Sequence, residues 1–166
     1  MTRARHIEPT QVQYLKDRFE SKYQRTDGCW IWSGAKVRGY GYIYHKNYAG
    51  LYAHRVSYLL YVGTVPEGML VDHICHVRSC VNPSHLRLAT PKQNTENVSG
   101  LRSTNTSGYQ GVTKREKSGK WRATICHRER TIFLGSFDTA EEADQAARSA
   151  RNRMFSHNLI DRKGVA

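Results

Sequence analysis

The stretch VDHICHVRSCVNPSHL, residues 71–86, sets one Asp, three His, two Cys and an Asn close together. A segment so poor in large apolar side chains cannot rigidify itself by burial, so it needs another source of order. Cys75, Cys80 and His85 follow one another at intervals of five. Cys and His in fours make closed tetrahedral zinc sites, and such a site holds an irregular loop in a small domain. The fourth ligand must come from elsewhere; Cys29 is available from an upstream strand region, and His54 and His76 are alternatives. Buried thiols beside a surface His would be the plainer reading, but three ligands within eleven residues argue against it.

The compartment fits metal rather than disulfides. The N-terminal MTRARHIEPTQV has charge but no apolar core, so it does not read as a secretory signal. No apolar run reaches the ~18–20 residues of a membrane span, and no membrane partner is expected. Four cysteines in an intracellular chain then point to metal or free thiols.

With the zinc ligands set aside, Asp72, His73 and Asn94 remain. Leu70 to Ile74 reads as a strand, Asn82-Pro83 as a turn, Leu86 to Ala89 as a second strand, and Thr90-Pro91 as the cap and first residue of a helix over residues 92–97. This ββα order brings His73 toward Asn94. An oxygen pair from Asp72 and Asn94 suits a hard cation, Mg²⁺ or Mn²⁺, shared with water and phosphate. His73, a residue whose pKa small shifts can poise near neutrality, suits a general base. Base and cation together make a phosphodiester hydrolysis site.

The charge bounds the class of partner. In 166 residues, 26 Lys+Arg stand against 14 Asp+Glu, a net charge of +12 spread from Arg3 to Lys163. A surplus distributed in this way draws polyanions, and nucleic acid is the expected partner.

Around this centre the chain divides into two patterns. Residues 8–24 place Val12, Leu15 and Phe19 at helical spacing with Thr10 as a cap, and residues 55–62 read as a second short helix. Between them, an aromatic and glycine-rich stretch reads as hairpins, in which Arg38, Tyr40, Tyr42, Tyr44 and Lys46 alternate onto one face. A β-ribbon in a major groove needs such a face, although two or three of these tyrosines also suit a core. Residues 98–108 have linker composition. Beyond them lie three short strands and an amphipathic helix, opened by a Thr139–Glu142 capping box and carrying Ala140, Ala143, Ala147 and Ala150 on one face. The fold expected is α+β, with a first domain over 1–97, a linker over 98–108, and a three-stranded antiparallel sheet packed on one helix over 109–160.

Asp72, His73, Cys75, Cys80, His85 and Asn94 together resemble the motif of the HNH, or ββα-metal, endonucleases, closest to the His-Cys box homing enzymes. The resemblance spans about residues 28–97. It implies His73 as general base, Asn94 as a metal ligand, and zinc on Cys75, Cys80, His85 and a distal Cys29. An Asp before the base is typical of HNH homing enzymes but not of the best-known His-Cys box member, so the cation has one or two protein ligands. Arg55 or Arg38 is expected to assist at the leaving oxygen, and His54 to be structural or to contact phosphate. Residues 109–150 resemble an AP2 DNA-binding domain through Tyr109, Gly111, Val112, Trp121, Ala123, Ile125, Leu134, Gly135, Phe137 and the TAEEA helix entry. That resemblance places the sheet in the major groove. Alternation then puts Gln110, Arg115, Arg122, Thr124 and Phe133 toward DNA.

The expected function is therefore site-selective DNA cleavage of the homing type, in a host cytoplasm, by a phage-like or intron-encoded protein. One ββα unit makes one cut, so a double-strand break requires a homodimer or a second event. The rival from another class is a zinc-stabilised DNA-binding regulator without catalysis, which would need neither Asp72, His73 nor Asn94.

Overall fold

The computed structural model describes residues 9–45, 48–97, 100–101, 103–158 and 161. Lys46, one of the residues expected at DNA, lies outside them. The chain forms two compact units that divide after Asn94. Among the described residues no helix is long and apolar enough to cross a membrane.

In the first unit, helix α1 (Pro9–Glu20) buries Leu15 and Phe19, one turn apart on a single face. It begins at Pro9, so Thr10 lies inside its first turn rather than before it. Strands β1 (Tyr23–Arg25) and β2 (Trp30–Trp32) pair antiparallel. A three-stranded antiparallel sheet follows from β3 (Lys36–Val37), β4 (Tyr40–His45) and β5 (Tyr48–Tyr52). Helix α2 (Ala53–Tyr61) starts directly after β5. Leu15, Phe19, Trp32, Ile43, Ala53, Val56 and Val81 make the core. Gly41 permits it: a Cβ there would sit 2.7 Å from the Trp32 ring and 2.9 Å from Ala53.

Arg38 differs from the expectation of a continuous alternating face. With Gly39 it makes the two-residue turn between β3 and β4, at φ 51° and 85°. Two positive φ values in a two-residue hairpin match the strand twist, so the turn claims Arg38 and alternation begins at Tyr40.

Strands β6 (Leu70–His73) and β7 (Leu86–Ala89) pair antiparallel, with Asp72 opposite Arg87 and His73 opposite Leu86. Helix α3 (Pro91–Glu96) follows at once. Thr90 caps it: its hydroxyl accepts from Gln93 N–H at 3.2 Å, and its own N–H donates to the Gln93 side chain at 2.8 Å. The ββα order expected from the sequence is the one observed.

In the second unit, β8 (Val112–Lys114), β9 (Trp121–His127) and β10 (Arg130–Phe137) form an antiparallel sheet in the order β10-β9-β8. Helix α4 (Ala140–Met154) packs on it, opened by the Thr139–Glu142 capping box. Ala143 and Ala147 are fully buried against Val112 and Ala123, and Ala150 lies against Ile125 and Phe155. Small residues let helix and sheet approach closely. Asn105 and Ser107, in the stretch of linker composition, bond into this unit: the Asn105 amide donates to Tyr109 O at 2.8 Å and the Ser107 hydroxyl to Val112 O at 2.8 Å. Buried Arg151 ties its base together, donating to Asp161 at 2.6 Å and to the Gln110 carbonyl at 2.8 Å.

Candidate metal centre and hydrolytic site

Cys29, Cys75, Cys80 and His85 converge, with their ligand atoms all within 4.8 Å of one another. Backbone pairing makes this happen. Strand β2 runs beside the loop: Trp32 N–H donates to Ser79 O at 2.9 Å, and Val81 N–H to Trp30 O at 2.8 Å. That contact carries Cys29, just before β2, to the two downstream cysteines. A left-handed turn at His76 (φ 60°) reverses the chain after Cys75. Asn82 then caps a single 3-10 turn over Pro83–His85, accepting from Ser84 N–H at 3.0 Å, and this presents His85. Of the alternatives open from sequence, Cys29 joins the cluster; His54 and His76 do not.

The spacing suits zinc. His85 Nδ1 lies 3.5 Å from Cys29 Sγ and 3.7 Å from Cys80 Sγ. Zinc bonds of roughly 2.3 Å to sulfur and 2.1 Å to nitrogen, at a tetrahedral angle, separate S and N by about 3.6 Å. The three thiols are crowded enough to share protons unequally. The Cys75 thiol, with the Asn82 and Trp30 main chain and His85, pulls Cys80 down to about 4 against the opposing effect of burial. Cys75 in turn is pushed far up, first by that same hydrogen bond to Cys80 and then by burial. A divalent cation held by the cluster would resolve this conflict by taking all three sulfurs as thiolates.

His73 stands at the end of β6, 7% exposed. Its Nε2 lies 3.0 Å from the Cys80 carbonyl. A carbonyl only accepts, so Nε2 carries the proton and Nδ1 is the basic nitrogen of the neutral ring. Burial pushes His73 below its ordinary value, opposed by the Cys80 carbonyl and the Asp72 charge. A second imidazole, His54, packs 4.7 Å from the His73 ring, centroid to centroid. Burial, with the His73 and Arg55 charges, lowers His54 to about 3, so it stays neutral. Tyr40 touches both imidazoles, at 5.9 Å from His73 and 5.6 Å from His54, and Tyr52 lies against His54 at 5.7 Å.

Asp72 faces Arg87 across the β6–β7 pair, and Arg87 reaches Oδ2 from Nε and from a terminal nitrogen, each at 3.0 Å. Asn94 is exposed on α3, its main-chain N–H donating to Thr90 O. A carboxylate and an amide oxygen are the hard donor types that Mg²⁺ or Mn²⁺ takes.

Of the residues expected at DNA in the first unit, Tyr40 is spent on the aromatic cluster, and Tyr42 packs on Tyr52 at 5.9 Å. Tyr44, on the same face, stands 68% exposed. Arg55 is half-buried in the first turn of α2. In the second unit Gln110 and Arg115 are exposed, and Arg122 lies on the outer sheet face with its guanidinium 5.2 Å over the Phe133 ring. Sequence reasoning did not single out Arg87 or Tyr52. Only the strand registers Asp72↔Arg87 and Tyr42↔Tyr52 reveal them.

Comparison with known proteins agrees with this geometry. Residues 51–96 match the HNH endonuclease family and residues 107–157 match the AP2 domain family. An uncharacterized HNH endonuclease of Acanthamoeba polyphaga mimivirus is 30% identical over 126 residues, 73% of this chain and 64% of that protein. Protein 2.8 of Escherichia phage T7 is 37% identical over 75 residues, 44% of this chain and 50% of its own length. Protein 7.7 of the same phage is 38% identical over 73 residues, 43% of this chain and 55% of its own. The chain thus spans between half and two thirds of the length of these relatives. No solved structure matches it.

Proposed function

We propose that this chain, which carries an HNH endonuclease domain followed by an AP2 domain, is a site-selective DNA endonuclease of the homing type. The observation that carries the reading is the orientation of His73. Its Nε2–H is anchored on the Cys80 carbonyl, so Nδ1 is committed to accepting a proton. Nδ1 takes that proton from a water as its oxygen attacks phosphorus, and the bond from phosphorus to the leaving sugar oxygen breaks. The carbonyl then stabilises the imidazolium, as an orienting acceptor does in other base-dependent hydrolases.

Mg²⁺ or Mn²⁺ held by Asp72 and Asn94 would supply positive charge at the scissile phosphate and the leaving oxygen. Zinc on Cys29, Cys75, Cys80 and His85 would hold the loop that carries the Cys80 carbonyl, so the structural centre acts on the base through one hydrogen bond. Arg55, beside His54, is suited to a phosphate oxygen. The AP2 sheet, through Gln110, Arg115 and Arg122, adds a second grip on double-stranded DNA.

Incubation of plasmid DNA with the full zinc-loaded chain, with and without added Mg²⁺, tests this directly. Cutting should require the free divalent ion. His73→Ala should lower the rate by ~10²–10⁴ while leaving DNA binding nearly intact. Cutting by the variant within threefold of wild type would refute the assignment of the base. A protein that binds DNA but never cuts it would instead be the regulator.

A further inference from the structure

The outer face of the second unit's sheet is not built mainly of cations. Strand alternation places Arg122, Thr124 and Cys126 of β9 and Thr131 and Phe133 of β10 there, while Ala123, Ile125 and Leu134 turn toward α4. Phe133 is 56% exposed, the most exposed large hydrophobic residue of this unit among the described residues. Thr124 is its cross-strand partner, and Thr131 pairs with Cys126 one step along. The register shifts between Phe133 and Gly135, an irregularity of the kind that re-aims a side chain. The Arg122 guanidinium lies over the ring, and its Nε is shielded from solvent with no hydrogen-bond partner. The phenyl group is thus held up from a plane of short side chains.

The cations that suit phosphates sit elsewhere. A cleft at the β8–β9 hairpin is lined by Lys114, Arg115, Glu116, Lys117, Ser118 and Ser136, with three basic residues against one acidic. A duplex gripped there meets, on the edge strand β10 and the central β9, a phenyl ring and threonine methyls with little to offer a phosphate. The apolar feature that a base edge presents in the major groove is the C5-methyl group of thymine, and Phe and the Thr methyl are the side-chain types that contact it.

We infer that Phe133, braced by Arg122, is a specificity-determining residue that reads the C5-methyl group of a thymine in the major groove. The inference rests on the DNA-facing reading of this sheet. It explains why an otherwise costly exposed phenyl stands on the outer face of the edge strand β10.

The test uses the full zinc-loaded chain without added Mg²⁺ or Mn²⁺ and without chelator, so that nothing is cut, and a duplex selected by the wild-type protein from a random pool. That duplex is prepared with thymine and again with uracil, which differs only by the methyl group. The wild type should bind the uracil duplex roughly fourfold more weakly per contacted methyl, the factor expected for burying one such group. Phe133→Ala should bind both duplexes alike, with unchanged circular dichroism because the side chain is exposed. Equal binding of both duplexes by the wild type would overturn the inference, as would a thymine preference that survives in Phe133→Ala. Failure of the underlying reading looks different: Arg115→Ala with Arg122→Ala would then leave the affinity and its salt dependence for the thymine duplex unchanged.

Discussion

Cys80 serves two sites at once: its sulfur belongs to the metal cluster and its carbonyl orients His73. Substitutions around it should therefore separate structure from chemistry. On the proposed zinc assignment, Cys80→Ser removes a ligand from a site whose metal would contribute directly to folding. Bound zinc should fall well below one equivalent, and residues 70–97 should become sensitive to limited proteolysis. Asn94→Ala should leave zinc content and the circular dichroism spectrum unchanged, because its side chain is exposed. It should raise the Mg²⁺ concentration for half-maximal cutting by about tenfold if the lost ligand is worth ~1.4 kcal/mol. Wild-type protein that purifies without zinc would remove the structural half of this account.

At the level of the element, the turns show where local chemistry and sheet geometry disagree. The β9–β10 hairpin closes through Arg128 and Glu129, both left-handed at φ 50° and 63°. The two-residue turn demands this conformation, yet neither residue favours it, and L-residues lose roughly 1–2 kcal/mol there. Arg128→Asn combined with Glu129→Gly should therefore stabilise the second unit by about 1 kcal/mol. Its melting temperature should rise by roughly 4–8 °C in a thermal scan of the full chain. An unchanged or lower value would mean that the two charged side chains contribute contacts that offset the strain. The α4 cap shows agreement instead: Thr139 and Glu142 satisfy helix and chain entry together, and their four-residue pattern was readable before any fold was known.

Across the whole molecule, separate hydrophobic clusters within each unit and an even division of basic residues describe the two units. After Asn94 lie 13 of the 26 Lys+Arg and 8 of the 14 Asp+Glu. Truncation after Val98 should weaken DNA binding through lost effective concentration. It should also flatten the salt dependence, because fewer counterions are released. At saturating protein the truncated chain should still cut in Mg²⁺, since Asp72, His73 and Asn94 survive. Equal affinity and an equal salt slope in a well-folded truncation would assign the second unit to something other than DNA.

What the residues alone determined was whatever depends on short separations. Three ligands at intervals of five, a capping box, an alanine face and a ββα order are patterns of neighbours, and backbone geometry converts them into elements without reference to the rest of the chain. Distant partners were beyond that reach. Cys29 joins ligands 46 and more residues downstream only because β2 pairs with residues 79–81. The Tyr40, Tyr52 and His54 surround of His73, and the Asp72–Arg87 pair, exist only through strand register and packing. Register is set by which faces bury together across the whole unit, a many-body choice that no single stretch of sequence contains. The tertiary structure therefore decided which nitrogen of His73 carries the proton.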